Sequence, residues 1–204
     1  TDYAAKGRAA IDALASYDRA LALRPDDAGM WNDRGIALGD LGRHDDALAS
    51  FDRALAGSPG YAEALANRGS ALSDLRRYEE AGQCFAALVE RAPDHPFARG
   101  QLLHARMLCC DWAGFDELAA RVRDEVRAGR RSAEPFGWQA VSDSAADLRQ
   151  CAEIFAAARH PAAATPLWRG ERYAHERIRL GYLSGEFRQQ ATSILMAELF
   201  ELHD

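Results

Sequence analysis

The chain has no apolar run approaching the roughly 18 residues that a membrane-spanning helix requires, and its start shows no secretory signal pattern. A cytoplasmic location is the default expectation. An excess of positive charge is also missing, since 25 basic residues are scattered among 31 acidic ones for a formal net charge of −6. Phosphate backbones call for a basic stripe, so no nucleic acid is expected as a partner. The short cluster Arg127, Arg130 and Arg131 reads as a solvated helix end. Cysteine is sparse: Cys84, Cys109, Cys110 and Cys151 show no paired spacing with histidines of the kind that holds zinc. They are expected to be reduced and partly buried. The adjacent Cys109 and Cys110 form no easy bridge, and their neighbours Met107 and Leu108 suggest packing. The six histidines are equally dispersed, so spacing yields neither a metal cluster nor a nucleophile–base pair.

What the chain does have is a period. Pro25, Pro59 and Pro93 stand 34 residues apart, and Asp18, Arg19, Ala20 and Leu21 return as Asp52, Arg53, Ala54 and Leu55. In the fullest copy Trp31, Gly35 and Leu38 fall four and three residues apart, on one face of a first helix. Ala47, Phe51 and Ala54 line the facing side of a second helix. The next copy repeats this with Leu65, Gly69 and Leu72, then Ala81, Phe85 and Leu88. Gly35 and Gly69 allow close approach, the phenylalanines fill the remaining space, and each proline stops a second helix. This pattern resembles the tetratricopeptide helix-turn-helix unit.

The resemblance divides residues 1–95 into a half repeat, 1–27, and full repeats 28–61 and 62–95. Ala13, Tyr17, Ala20 and Pro25 match a second helix whose partner is largely missing, and the start at Thr1 raises the expectation of further repeats upstream. After Pro93 the period decays. Helical stretches at about 97–108 and 112–128 read as a degenerate repeat closing the stack, within a section of linker helices spanning 96–160.

Trp31, Phe51 and Phe85 read as core. In such a scaffold the concave surface of first helices is where polar side chains bind an extended peptide, and the candidates are Asp33, Asp40, Asn67 and Asp74, two pairs related by the 34-residue shift. The same four positions read equally well as ordinary solvated sites.

Beyond a loop at 129–134 and the opening Glu134-Pro135-Phe136, a helix is expected at about 145–159 with Leu148, Ala152 and Phe155 on one face. Residues 161–177, with Pro161, Pro166 and Gly170, read as an extended connector. Ile178-Arg179-Leu180-Gly181-Tyr182-Leu183-Ser184 then has the composition of a buried strand leaving into a loop. Thr192 is placed to cap a following helix carrying Leu195, Leu199 and Leu202. One strand makes no sheet, so either an α/β domain continues past Asp204 or this segment pairs elsewhere.

The stretch 177–187, followed by Ala191-Thr192-Ser193 and Leu195-Met196, is similar to the opening of the catalytic region in protein O-linked N-acetylglucosamine transferases and SPINDLY-like proteins. Cys110-Asp111-Trp112 with Phe115, and Glu134-Pro135-Phe136, resemble the linker of bacterial members. The fold so implied is mainly α: a tetratricopeptide-repeat superhelix with linker helices, then the first strand-loop-helix, 178–204, of a truncated Rossmann-like α/β domain. The resemblance implies transfer of N-acetylglucosamine or a related sugar from a nucleotide sugar, such as UDP-N-acetylglucosamine, to Ser or Thr of a protein held in the repeat groove. It also implies that Ser184, Phe187, Gln190 and Thr192 line the catalytic cleft.

Gln190 stands where the family usually places a histidine, and glutamine is no general base near neutral pH. No catalytic residue is therefore assigned with assurance, and residues 1–204 alone are expected to be inactive. The alternative is a non-catalytic peptide-binding adaptor, and a third reading is a generic repeat scaffold. The sequence leaves open whether two copies pair as a homodimer.

Overall fold

The computed structural model describes residues 3–161, which belong to the first of two compact units, Thr1–Ala162, the second being Ala163–Asp204. The strand expected at 178–184, its following helix and all but the first residue of the connector lie outside the described residues. So do Ser184, Phe187, Gln190 and Thr192. Among the described residues every regular element is a helix. None is long and apolar enough to cross a membrane.

The elements are α1 (Tyr3–Leu23), α2 (Ala28–Asp40), α3 (His44–Gly57), α4 (Ala62–Asp74), α5 (Tyr78–Arg91), α6 (Ala98–Leu108), α7 (Phe115–Arg127), α8 (Pro135–Gln139) and α9 (Ala145–Arg159). Shifting α2 and α3 by 34 residues reproduces the bounds of α4 and α5. The period of the sequence is thus a period of structure. Helices α1, α3 and α5 each end two residues before Pro25, Pro59 or Pro93, which carry no amide hydrogen and disfavour helical geometry in the residue before them.

The turn inside each hairpin repeats as well. Gly42, Arg76 and Cys110 stand 34 residues apart and take φ of 73°, 59° and 57°. Each left-handed residue lets the next amide bond back to the helix: Arg43 N to Leu38 O at 2.9 Å, Arg77 N to Leu72 O at 2.8 Å, Asp111 N to Arg106 O at 2.9 Å. The backbone period therefore outlives the sequence period by one repeat. This turn also corrects the expectation that Cys109 and Cys110 are packed. They leave the helix at its cap and are exposed, whereas Cys84 and Cys151 are buried, and all four are free thiols.

Between helices the interior is built as the spacing predicts. Leu38, Leu72, Ala47, Ala81, Phe51, Phe85 and Leu88 form one continuous buried cluster with Ala98, Leu102 and Ala105 of α6. Trp31 departs from the expected core role. Only half-buried, its indole donates from Nε1 to Pro25 O at 2.7 Å, and the guanidinium carbons of Arg34 and Arg53 lie 5.6 and 5.0 Å from its ring centroid.

The degenerate repeat, α6 and α7, does not end the stack. Helices α8 and α9 pack on it, and a second cluster joins Leu103, Val122, Val126, Ala133, Trp138 and Cys151. Trp138 is only 1% exposed. Ion pairs that spacing did not reveal tie these helices together. Arg127 is the last residue of α7 with an exposed side chain, as expected, and it also grips Asp147 with Nε at 3.0 Å and Nη2 at 2.9 Å. Beside that pair Asp147 and Cys151 of α9 turn inward, and of the three residues expected to share a face Leu148 and Phe155 are half-buried while Ala152 is exposed. Arg130 meets Glu125 at 3.1 Å, and that buried carboxylate also takes Arg99 at 3.0 Å and the Ser132 hydroxyl at 2.6 Å.

Candidate functional site

The face formed by the first helices, α2 and α4, is held in place by a repeated arginine clasp. Arg34 of α2 donates from Nε to Asp18 at 2.8 Å and from Nη1 to Ser50 at 2.7 Å. One repeat on, Arg68 of α4 donates from Nε to Asp52 at 2.7 Å and from Nη1 to the Cys84 sulfur at 2.9 Å. Each guanidinium thereby ties a first helix to the second helix behind it and to its own partner. Burial raises the Cys84 thiol pKa, against which the Arg68 hydrogen bond pulls it down. Sequence reasoning missed this clasp. Its signal was present in the shared 34-residue register of Arg34 with Arg68 and Asp18 with Asp52.

The four residues marked in the sequence as groove candidates separate in the structure. Asp33 and Asp40 are exposed and face a hollow of about 680 Å³ between α1 and α2, whose other walls include Ala10, Ala13, Tyr17 and Ile36. Asp74 is exposed on α4, with its carboxylate 3.7 Å from His44 Nδ1. Asn67 is half-buried and turned inward, its amide donating to Asn32 Oδ1 at 2.9 Å. It acts as a joint between repeats.

Farther along, the corresponding face of α6 is covered. His104 continues the register of Ile36 and Ser70, and there Phe136 of α8 lies with its ring 6.3 Å from the imidazole while a Cβ on Gly137 would come within 3.2 Å of it. Phe136 itself remains 82% exposed. Another hollow, between α5 and α6, is lined by Glu79, Gln83, Arg106, Cys109, Cys110 and Asp111. No group of three metal-ligating side chains occurs among the described residues.

A tetratricopeptide-repeat family model matches residues 2–62 and again 32–96. Residues 2–96 are tetratricopeptide repeats. The match to this family stops short of α6, and the stretch 178–204 draws no support from it. No curated protein matches the chain in sequence. Among solved structures, the chain is similar to MamA 41-end from Desulfovibrio magneticus RS-1. That likeness has 20% identity and a TM-score of 0.55, and covers 78% of this chain and 97% of that one. A further MamA crystal structure gives 17% identity and a TM-score of 0.54 over 80% and 96% of the two chains. The structure of Naa15/Naa10 bound to HypK-THB gives 15% and 0.50, over 81% of this chain and 26% of that one. At these identities the likeness establishes the fold.

Proposed function

We propose that this chain is a protein-binding repeat scaffold that holds a peptide or protein segment against the first-helix face of its tetratricopeptide array. The observation that carries this reading is the placement of Asp40 and Asp74, one repeat apart and both exposed, on helices whose orientation is fixed by the Arg34 and Arg68 clasps. Carboxylates fixed on rigid helices at a repeat spacing suit basic or amide-rich segments, because little conformational freedom is lost when they bind. Asn67 takes no direct part, since its amide is engaged by Asn32.

The test is to pan a displayed peptide library against the immobilised chain, in parallel with the triple variant Asp33→Asn, Asp40→Asn, Asp74→Asn. Basic sequences should be enriched by the parent and lost with the variant. Enrichment of acidic or apolar sequences, or equal binding by both proteins, removes the assignment of this face.

A second reading has its own support in the sequence of 177–187 and 191–196. There the repeats recruit a protein substrate in the cytoplasm for a glycosyltransferase that uses a nucleotide sugar of the UDP-N-acetylglucosamine type, with Ser184, Phe187, Gln190 and Thr192 at the cleft. This donor rests on sequence resemblance alone. Incubating the full-length protein, with any sequence beyond Asp204, and its Gln190→His variant with labelled UDP-N-acetylglucosamine and cell extract tests it. Absence of transfer by both leaves the scaffold reading alone.

A further inference from the structure

Where α6 packs on α7, more arginine gathers than the carboxylates there can neutralise. Glu125, 2% exposed, is met by Arg99 at 3.0 Å, by Arg130 at 3.1 Å and by Arg121 at 3.7 Å. One carboxylate offsets one of these charges. The remainder faces a hollow of about 410 Å³ lined by Arg99, Arg130, Arg131 and His95, with Asp94 as the one acid there besides Glu125. In a chain of net charge −6 this is a local positive excess.

The walls of the hollow are fixed in advance. Phe97 N donates to Arg131 O at 2.6 Å and Gly100 N to Ser132 O at 2.8 Å, so the segment that carries Arg130 and Arg131 is pinned along the first turn of α6. Gly100 lets it lie that close, since a Cβ there would stand 2.6 Å from Ala133 Cα. Arg99 is the buried member, 7% exposed. Its Nη1 is committed to Glu125, while Nε and Nη2 hydrogen-bond to no other described residue and are not shut off from the surface. Arg131 is exposed and belongs to no ion pair among the described residues. Donors therefore remain available on both sides of the hollow.

We propose that this hollow binds a phosphate-class dianion between Arg99 of α6 and the segment carrying Arg130 and Arg131. Guanidinium groups offer paired N–H donors that match phosphate oxygens, and donors from two separate segments suit a tetrahedral anion better than a flat carboxylate. A double negative charge answers the excess that Glu125 leaves. Asp94 opposes it from the rim, which gives the site a substitution that should improve binding.

The test is a titration of the ¹⁵N-labelled full chain with sodium phosphate at fixed ionic strength, read by amide chemical shifts. Signals of Gly129, Arg130 and Arg131 should move saturably with phosphate and stay still with chloride or acetate. The double variant Arg130→Gln, Arg131→Gln should lose about tenfold or more in affinity, and Asp94→Asn should gain about two- to threefold. Arg99→Lys keeps a cation beside Glu125 but removes the planar fork, so it should weaken binding as well; if it fails to fold, the double variant carries the test. A glycine-rich pentapeptide with a central phosphoserine identifies the source of the anion. Binding tighter than that of inorganic phosphate assigns the site to a phosphorylated polypeptide, comparable binding assigns it to the free anion, and either supports the proposal. An equal response to acetate, undiminished affinity in the double variant, or equal binding of the unphosphorylated peptide overturns it.

Discussion

Gly69 lies against the ring of Phe85 so closely that a Cβ added to the glycine would come to rest 2.6 Å from Cε1 and 2.7 Å from Cζ. Helix propensity alone favours alanine over glycine by about 1 kcal/mol, so the sign of the substitution reports which effect wins. Gly69→Ala is expected to destabilise by roughly 1 to 3 kcal/mol, because neither α4 nor the fully buried ring has room to move. Gly39→Ala, where a Cβ meets nothing within 4 Å, should be neutral or slightly stabilising. Urea unfolding of both variants checks the contrast. Equal effects would mean that the close approach is not what glycine provides at position 69.

Arg76 holds the left-handed turn of the second hairpin at φ 59°, where the first hairpin has Gly42 at φ 73°. A side chain in this region costs about 1 kcal/mol or more, which glycine avoids at the expense of greater freedom when unfolded. Arg76 has an exposed side chain in no ion pair among the described residues, so little is lost by its removal. Arg76→Gly should raise stability by roughly 0.5 to 1 kcal/mol, seen as a higher melting midpoint. A lowered midpoint would show that the arginine contributes something beyond its backbone.

The four cysteines should divide cleanly by reactivity. Burial pushes the Cys151 thiol up to about 11, with Glu134 adding to the shift, and burial also raises Cys84. The attacking species is the thiolate, so both should resist alkylation in the folded protein near pH 8. Cys109 and Cys110 are exposed at the end of α6 and should react. Mass spectrometry after brief treatment with iodoacetamide should find two modified sites per folded chain and four after unfolding. Early modification of Cys151 would contradict the packing of α9 against α7.

Much of this architecture was legible because it is periodic. Three prolines and two glycine–phenylalanine pairs mark the helix ends and contacts, and the structure repeats its bounds at the same interval. The left-handed turns were not legible, since one backbone conformation is occupied in turn by Gly42, Arg76 and Cys110 and only the first announces it. Past Pro93 the periodic signal weakens for a related cause. Pro96 and the turn at Gly114 delay the starts of α6 and α7, and α9 turns Asp147 inward to Arg127, a pairing that apolar spacing does not announce. On the first-helix face, Asp33, Asp40 and Asp74 are exposed, but their register in the sequence could not tell that Asn67 turns inward to Asn32.

The pairing of Arg127 with Asp147 has a measurable signature in acid. The guanidinium hydrogen bonds hold the Asp147 carboxyl below its usual range, against an opposing effect of burial, and the Ser144 hydroxyl accepts from the Asp147 amide at the start of α9. A carboxylate whose pKa is depressed in the folded state adds stability that is complete above its unfolded value of about 3.9 and disappears as pH falls through the lower folded value. Wild type should therefore exceed Arg127→Met in stability near neutral pH, and the gap should narrow as pH drops, closing in strong acid. Comparing the two proteins cancels the titration of the other carboxylates. Urea midpoints measured at intervals between about pH 6 and pH 2 provide the curve. A gap that stays constant across that range would mean that Arg127 supports α9 through packing of its stem and not through its charge.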